Sequence, residues 1–299
     1  MTLAIQTYGL TKRYRRLLAL DNLDLSISQG GVHALVGPNG AGKTTLIKIL
    51  MNIIHASSGT ASVVGIDSHK ISGKAFETIG YVSENQKLPG WMRVGNFLQY
   101  LRSFYPTWDA ALEAQLVKQF DLPFDRKIKH LSRGMQMKAA LASALAFRPR
   151  LIVLDEPFSG LDPMVRDELG QALVERAADA TIFVSSHDLG EIEGFATHLT
   201  YLDSGRLRLS EELASLRSRF REVELIFDAP VALPSDLPKT WLQPVTSDST
   251  LRFIDSAFQQ ESLQSEVVRH FGSLQHGTFT PMTIRNIFLA IAKSNRKPE

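Results

Sequence analysis

One stretch limits what this chain can fold into more than any other: Gly37-Pro38-Asn39-Gly40-Ala41-Gly42-Lys43-Thr44-Thr45. It fits the spacing G-x-x-x-x-G-K-[ST], a loop whose backbone N–H groups cradle phosphates. The residues before it, Val32-His33-Ala34-Leu35-Val36, are apolar and β-branched and predict a buried strand. Those after it, Leu46 to Ile54, predict a mostly buried helix. Strand, glycine loop and helix form the context the motif requires. Gly37, Gly40 and Gly42 carry no Cβ, so the backbone can curl and turn its N–H groups onto phosphate oxygens. The helix that starts there aims its positive end at the same anion. Lys43 adds a point charge near the β/γ-phosphates, and the Thr44 hydroxyl can ligate Mg²⁺.

In chain order, Leu3 to Tyr8 suits a strand, and Leu10 to Tyr14 follows as a basic, aromatic loop. Leu23 to Ile27 alternates apolar and polar residues, the pattern of a half-buried strand. Gly59 to Val64 and Ile79 to Ser83 read as further strands, the second leaving as the loop Glu84-Asn85-Gln86. From Leu88 to Phe147 the spacing turns helical, with Pro106, Pro123 and Pro149 as breakers. This predicts a helical insertion in an α/β core. Leu151 to Leu154 is a continuous apolar run, suited to a strand buried on both faces of a parallel sheet, and Thr181 to Ser185 is a similar strand. Asp203-Ser204-Gly205 between two short runs signals a hairpin. Beyond Phe220 the character changes: Glu222 to Phe227 alternates and can pair with Leu251 to Ile254. Pro230, Pro234, Pro238 and Pro244 are expected in loops, and Met282 to Lys293 in an amphipathic helix.

The 299 residues suffice for one large domain, or a core and an accessory domain. From the net charge of +2 alone, no polyanion-binding surface follows. There is no cysteine, which excludes disulfides and Cys-ligated zinc and fits a reducing compartment. The N-terminus lacks a signal-peptide pattern, and the longest apolar runs are too short to span a bilayer. Any work on a membrane would therefore need another chain to supply the span.

Asp155 ends an apolar strand, where ligands meet an open α/β sheet. A carboxylate there can hold Mg²⁺ beside Thr44. Glu156, one residue on, could polarise a water attacking the γ-phosphate. Ser132, in Leu131-Ser132-Arg133-Gly134-Met135, suits a helix N-cap, as does Asp162 before Pro163. His187 ends a strand expected beside Asp155.

In this order, the motifs resemble those of the nucleotide-binding subunit of ATP-binding-cassette transporters. That family carries a P-loop, a glutamine loop, an L-S-G-G-Q signature, an Asp-Glu strand, an S-G-L-D loop and a switch histidine. The counterparts here are Gly37 to Thr45, Glu84, Leu131 to Met135, Leu151 to Glu156, Ser159 to Asp162, and His187, covering the chain to about Leu209. The resemblance implies a P-loop α/β core with an antiparallel N-terminal β-subdomain, and ATP and Mg²⁺ as cofactors. It implies that Gly37, Pro38, Asn39, Gly40, Ala41, Gly42, Lys43, Thr44 and Thr45 hold the nucleotide. Tyr14 would stack on adenine; Thr44, Glu84 and Asp155 would hold Mg²⁺; Glu156, His187 and Lys43 would serve hydrolysis. Two such domains would face head to tail, so that Ser132 and Gly134 cap the γ-phosphate of the other subunit and Asp162 passes between them.

Two of the motifs depart from the family pattern, at three positions. Glu84 stands where glutamine is usual, with Gln86 as the alternative if the register slips by two. Arg133 and Met135 stand where the signature has glycine and glutamine.

The expected division is an ATP-binding domain over 1–218, with a helical subdomain at about 88–148, and an accessory α+β domain over 219–299. The resemblance points to the subgroup pairing with export-type permeases for drugs, peptides or lipids and polysaccharides. The expected partners are an integral membrane permease and a second ATP-binding subunit, identical or not, on the cytoplasmic face, with no nucleic acid. The alternative is a soluble ATPase of the same fold acting on nucleic acid or ribosomes; those usually carry two cassettes or a long coiled coil, and this chain has neither.

Overall fold

The structure is a computed structural model that describes residues 2–234 and 236–294. Two compact units divide the chain between Ser210 and Glu211.

The first unit opens with two twelve-residue strands, β1 (Leu3–Tyr14) and β2 (Leu17–Ser28), paired antiparallel. β1 is longer than its sequence suggested. The run Leu10 to Tyr14 is not a loop: Lys12, Arg13 and Tyr14 pair with Leu20, Leu18 and Leu17. Shifts of register along the pair absorb the irregular alternation that hid this half of the strand. The chain then enters β3 (Val32–Val36), the P-loop and α1 (Lys43–Leu50). The helix stops four residues short of Ile54, because Asn52 turns into the left-handed region with φ 53°. β4 (Ser58–Val63) and β5 (Ile66–Asp67) join the antiparallel sheet, in the order β2-β1-β4-β5.

β6 (Ile79–Ser83) leads into the helical segment, α2 (Val94–Arg102), α3 (Ala110–Gln119) and α4 (Arg133–Leu145). Asp109 caps α3 by accepting from the backbone N–H groups of Ala111 and Leu112, each at 2.9 Å. β7 (Leu151–Asp155), α5 (Pro163–Arg176), β8 (Thr181–Ser186), β9 (His198–Asp203) and β10 (Arg206–Glu212) complete the core. The six-stranded sheet runs β10-β9-β3-β8-β7-β6, and the pairs β3/β8, β3/β9, β7/β8 and β6/β7 are parallel. Every residue of β3, β7 and β8 is buried, which is why their sequences run apolar without alternation. Ser204 and Gly205 both take positive φ in the β9–β10 turn, as a tight hairpin requires.

The second unit has its own core, built on Val223, Leu225, Trp241, Leu251, Phe253, Leu263 and Val267. It contains α6 (Leu213–Arg219), β11 (Arg221–Ile226), β12 (Trp241–Ser247), β13 (Thr250–Asp255), α7 (Gln260–Phe271), β14 (His276–Pro281) and α8 (Ile284–Ser294). Its antiparallel sheet runs β12-β13-β11-β14, with β11 and β13 paired from Arg221/Asp255 to Ile226/Thr250. The boundary at Ser210/Glu211 lies eight residues before the one expected from sequence. Glu211 holds Arg219, with Nη2–Oε2 at 2.6 Å, and α6 packs on α8, so both belong to the second unit. Pro244 lies inside β12 rather than in a loop. β12 is an edge strand, and its register shifts between Leu242 and Val245, where Gln243 has φ 52°. A proline needs no ladder hydrogen bond at such a place.

Candidate functional site

The P-loop joins the C-terminal end of β3 to α1, and two of its glycines are obligatory on geometry. A Cβ on Gly37 would lie 2.1 Å from the carbonyl oxygen of Leu202 in β9. Gly42 takes φ +106°, and its Cβ would meet the Ala19 carbonyl oxygen at 2.5 Å. A cavity of about 550 Å³ opens over the loop. Asn39, Gly40, Ala41, Gly42, Lys43, Thr44 and Thr45 line it together with Glu84, Glu156, Ser159 and His187, and with Tyr14, Leu17 and Ala19. Gly37 and Pro38 are not in its wall. Their carbonyl oxygens accept from Lys43 Nζ at 2.7 and 3.3 Å.

Lys43 is buried, and its Nζ also lies 3.2 Å from Oε1 of Glu156. The other carboxylate oxygen of Glu156 is 2.7 Å from His187 Nδ1 and accepts from the His187 backbone N–H at 3.3 Å. Lys43, Glu156 and His187 therefore form one linked line of side chains. Glu156 sits at φ 51°, a strained region for a residue with a side chain. Its backbone N–H donates to Ser185 Oγ at 2.9 Å, which helps fix that conformation.

Ser185 in turn donates to Asp155 Oδ1 at 2.8 Å, and Thr44 Oγ1 donates to the same oxygen at 3.1 Å. Burial pushes the Asp155 carboxyl up, against the hydrogen bonds from Ser185 and Thr44. The hydrogen bond to Glu156 lifts the His187 imidazole above its ordinary 6.5. A buried carboxylate next to a threonine hydroxyl is an oxygen donor pair suited to a hard divalent cation. The glycine loop and the buried lysine suit a phosphate chain. The residues present thus fit both groups.

Tyr14 closes β1 at the cavity wall, 42% exposed, with Lys12 Nζ 5.0 Å from its ring centre. Of the two candidates after β6, Glu84 lines the cavity, whereas Gln86 folds back to accept from the Ser83 backbone N–H at 3.3 Å. Ser132, Gly134 and Asp162 are not in the cavity wall. Ser132 caps α4 by accepting from Met135 N–H at 3.2 Å, and Asp162 caps α5 by accepting from Val165 N–H at 3.0 Å. Gly134 lies against Val165.

Sequence reasoning missed Ser185, which ties Asp155 to Glu156, and Leu17 and Ala19 in the wall; Ser159, named only as the first residue of the S-G-L-D loop, lines it too. Ser185 had one usable signal: it stands two residues before His187, at the end of a strand parallel to β7.

The ABC transporter family model matches residues 20–159. ABC transporter ATP-binding protein YtrB of Bacillus subtilis is 30% identical over 216 residues, 72% of this chain and 74% of that protein. Daunorubicin/doxorubicin resistance ATP-binding protein DrrA of Streptomyces peucetius is 30% identical over 310 residues, 97% of this chain and 92% of that one. Among solved structures, an ATP binding subunit of an ABC transporter superposes with a TM-score of 0.65 at 26% identity, covering 73% of this chain and 92% of its own. No helix among the described residues is long and apolar enough to cross a membrane. Phosphate loop, linked acid and base groups, fold and relatives converge on one assignment: the chain belongs to the ABC transporter ATP-binding proteins, as an ATP-binding and ATP-hydrolysing subunit that powers a membrane transporter.

Proposed function

We propose that this chain binds ATP with Mg²⁺ in the P-loop cavity and hydrolyses it with Glu156 as general base, driving export through a separate membrane permease. The observation that carries the reading is the line Lys43–Glu156–His187 beside the pair Thr44–Asp155. Residues 37–45 would hold the phosphates through backbone N–H groups and the Lys43 charge. Tyr14 would offer its exposed ring to the adenine. Thr44, Asp155 and Glu84 would hold Mg²⁺, which supplies charge neutralisation on the phosphates. Glu156 would take the proton of the attacking water. His187 orients that carboxylate through the 2.7 Å bond from Nδ1 and stands at the cavity wall, where a γ-phosphate can be sensed.

The placement of Ser132, Gly134 and Asp162 outside this cavity supports a second subunit, facing head to tail, whose signature residues complete the site. A drug-resistance relative aligned over nearly the whole chain, including the second unit, supports export. The working position would be the cytoplasmic face of the membrane, through the permease.

The test is Glu156→Gln. It should leave ATP binding in place and cut hydrolysis by roughly a hundredfold or more, as removal of a general base does. Hydrolysis at the wild-type rate would remove Glu156 from the role. Copurification of the wild-type chain with a multi-span membrane protein tests the coupling.

A further inference from the structure

The second unit holds a cavity of about 340 Å³ between the start of α7 and the ends of β12 and β13, and Asp255 lines it. Asp255 is the last residue of β13 and is only 4% exposed. Its register partners are Arg221 on β11 and Trp241 on β12. One carboxylate oxygen, Oδ1, accepts from the Ala257 backbone N–H at 2.9 Å and closes a tight turn. That turn accounts for one oxygen. Oδ2 has no partner among the described residues.

A carboxylate this deeply buried ordinarily has a cation beside it, because desolvation is costly otherwise. Here none is supplied. Arg221 directs Nη1 to the carbonyl oxygens of Arg217 at 2.7 Å and Phe220 at 2.8 Å. Among the described residues, no lysine or arginine lines the cavity. The second acid in the wall, Glu266, already faces His270 Nε2 at 3.4 Å and Arg269 at 3.9 Å. Burial pushes the Asp255 carboxyl up, so a cation in the cavity would relieve the cost of its charge. The remaining wall is suited to the same guest. Thr240, Gln259 and Ser262 offer side-chain oxygens to N–H donors, and Trp241 and Leu263 offer apolar surface to a short alkyl stem.

We propose that this cavity is a binding site for an organic cation, an alkylammonium or alkylguanidinium group whose N–H donors meet Asp255. The group could arrive on a free amine or on a lysine or arginine side chain, and the chemistry of capture is the same. The site belongs to the second unit alone and does not depend on the nucleotide reading.

Amide NMR titration of the full chain tests it, with butylammonium, butylguanidinium and the neutral analogue butanol as probes. Both cations should give saturable shifts centred on Trp241, Ala257 and Leu263, with butanol at least about tenfold weaker, the scale of a hydrogen bond to a charged group. Asp255→Asn keeps an acceptor for the Ala257 N–H, so the turn should survive, and a retained dispersed amide spectrum for β11, β13 and α7 reports that the second unit is folded. In that variant cation binding should fall by about tenfold or more. A short peptide with one lysine separates the sources: tighter binding than butylammonium assigns a protein side chain, and equal or weaker binding assigns a free amine. Equal affinity for butanol, unchanged cation binding in Asp255→Asn, or no saturable shift overturns the proposal.

Discussion

Nη2 of Arg133 lies 3.4 Å from Oε1 of Glu84. Both residues depart from the family pattern, one in each of the two altered motifs, and they meet. Glu84 brings a negative charge to the wall of the nucleotide cavity where glutamine is usual; Arg133, at the start of α4, brings the offsetting positive charge. The side chains are 35% and 55% exposed, so water screens the pair and its strength is about 1 kcal/mol or less. Arg133→Ala should release the carboxylate and steepen the Mg²⁺ dependence of ATP affinity by a few-fold. Glu84→Gln should flatten it, and the double variant should behave as Glu84→Gln does. Additive effects of the two substitutions would show that the residues are not coupled.

Lys43 and Glu156 are both buried and share a 3.2 Å contact, so each is the other's compensating charge. Lys43→Ala should abolish ATP binding or turnover. It should also cost up to roughly 3 kcal/mol of folding stability, because among the described residues Glu156 then keeps only His187 as a side-chain partner. Lys43→Ala/Glu156→Gln should recover part of that loss while remaining inactive. Denaturant unfolding of the three proteins measures this, and a double variant less stable than Lys43→Ala would contradict the charge-pair account.

His187 has a raised pKa because Glu156 accepts its hydrogen bond. A histidine held above its ordinary value of 6.5 stabilises the fold fully below that pH, and the contribution fades as pH rises through the raised value. His187→Gln should therefore lower Tm more near pH 6 than near pH 9. The side chain is 41% exposed, so solvent screening keeps the difference to about 1 kcal/mol or less. A Tm difference that grows with pH would reverse the assignment.

The central sheet was legible because burial on both faces leaves a continuous apolar run, and Val32 to Val36, Leu151 to Leu154 and Thr181 to Ser185 each carry one. The glycine loop was legible because its spacing sets Gly37 where the Leu202 carbonyl leaves no room for a Cβ and Gly42 where φ is +106°. What stayed hidden depends on neighbours remote in sequence. The role of Ser185 requires β8 to lie beside β7, thirty residues away by the bond Ser185–Asp155. The Arg133–Glu84 pair spans 49 positions. Tyr14 read as a loop residue because bulges break the alternation of β1, and Pro244 read as a breaker because edge position cannot be seen along a chain. Asp255 had no signal at all, since a lone aspartate before Ser256 reads as a turn.

The two units each contain a hydrophobic core, and every residue lining the nucleotide cavity lies at or before His187. β10 ends at Glu212, so a chain ending there keeps the whole six-stranded sheet. Truncation to residues 1–212 should leave a cooperatively folding protein whose ATP affinity differs from that of the full chain by less than tenfold, about 1.4 kcal/mol. It removes Asp255 and with it the saturable response to butylammonium. Calorimetric unfolding establishes the fold, and ATP titration then reads the site. A folded truncation with ATP affinity more than tenfold weaker would mean that residues 213–299 take part in nucleotide binding, and the independence of the cavity would be lost.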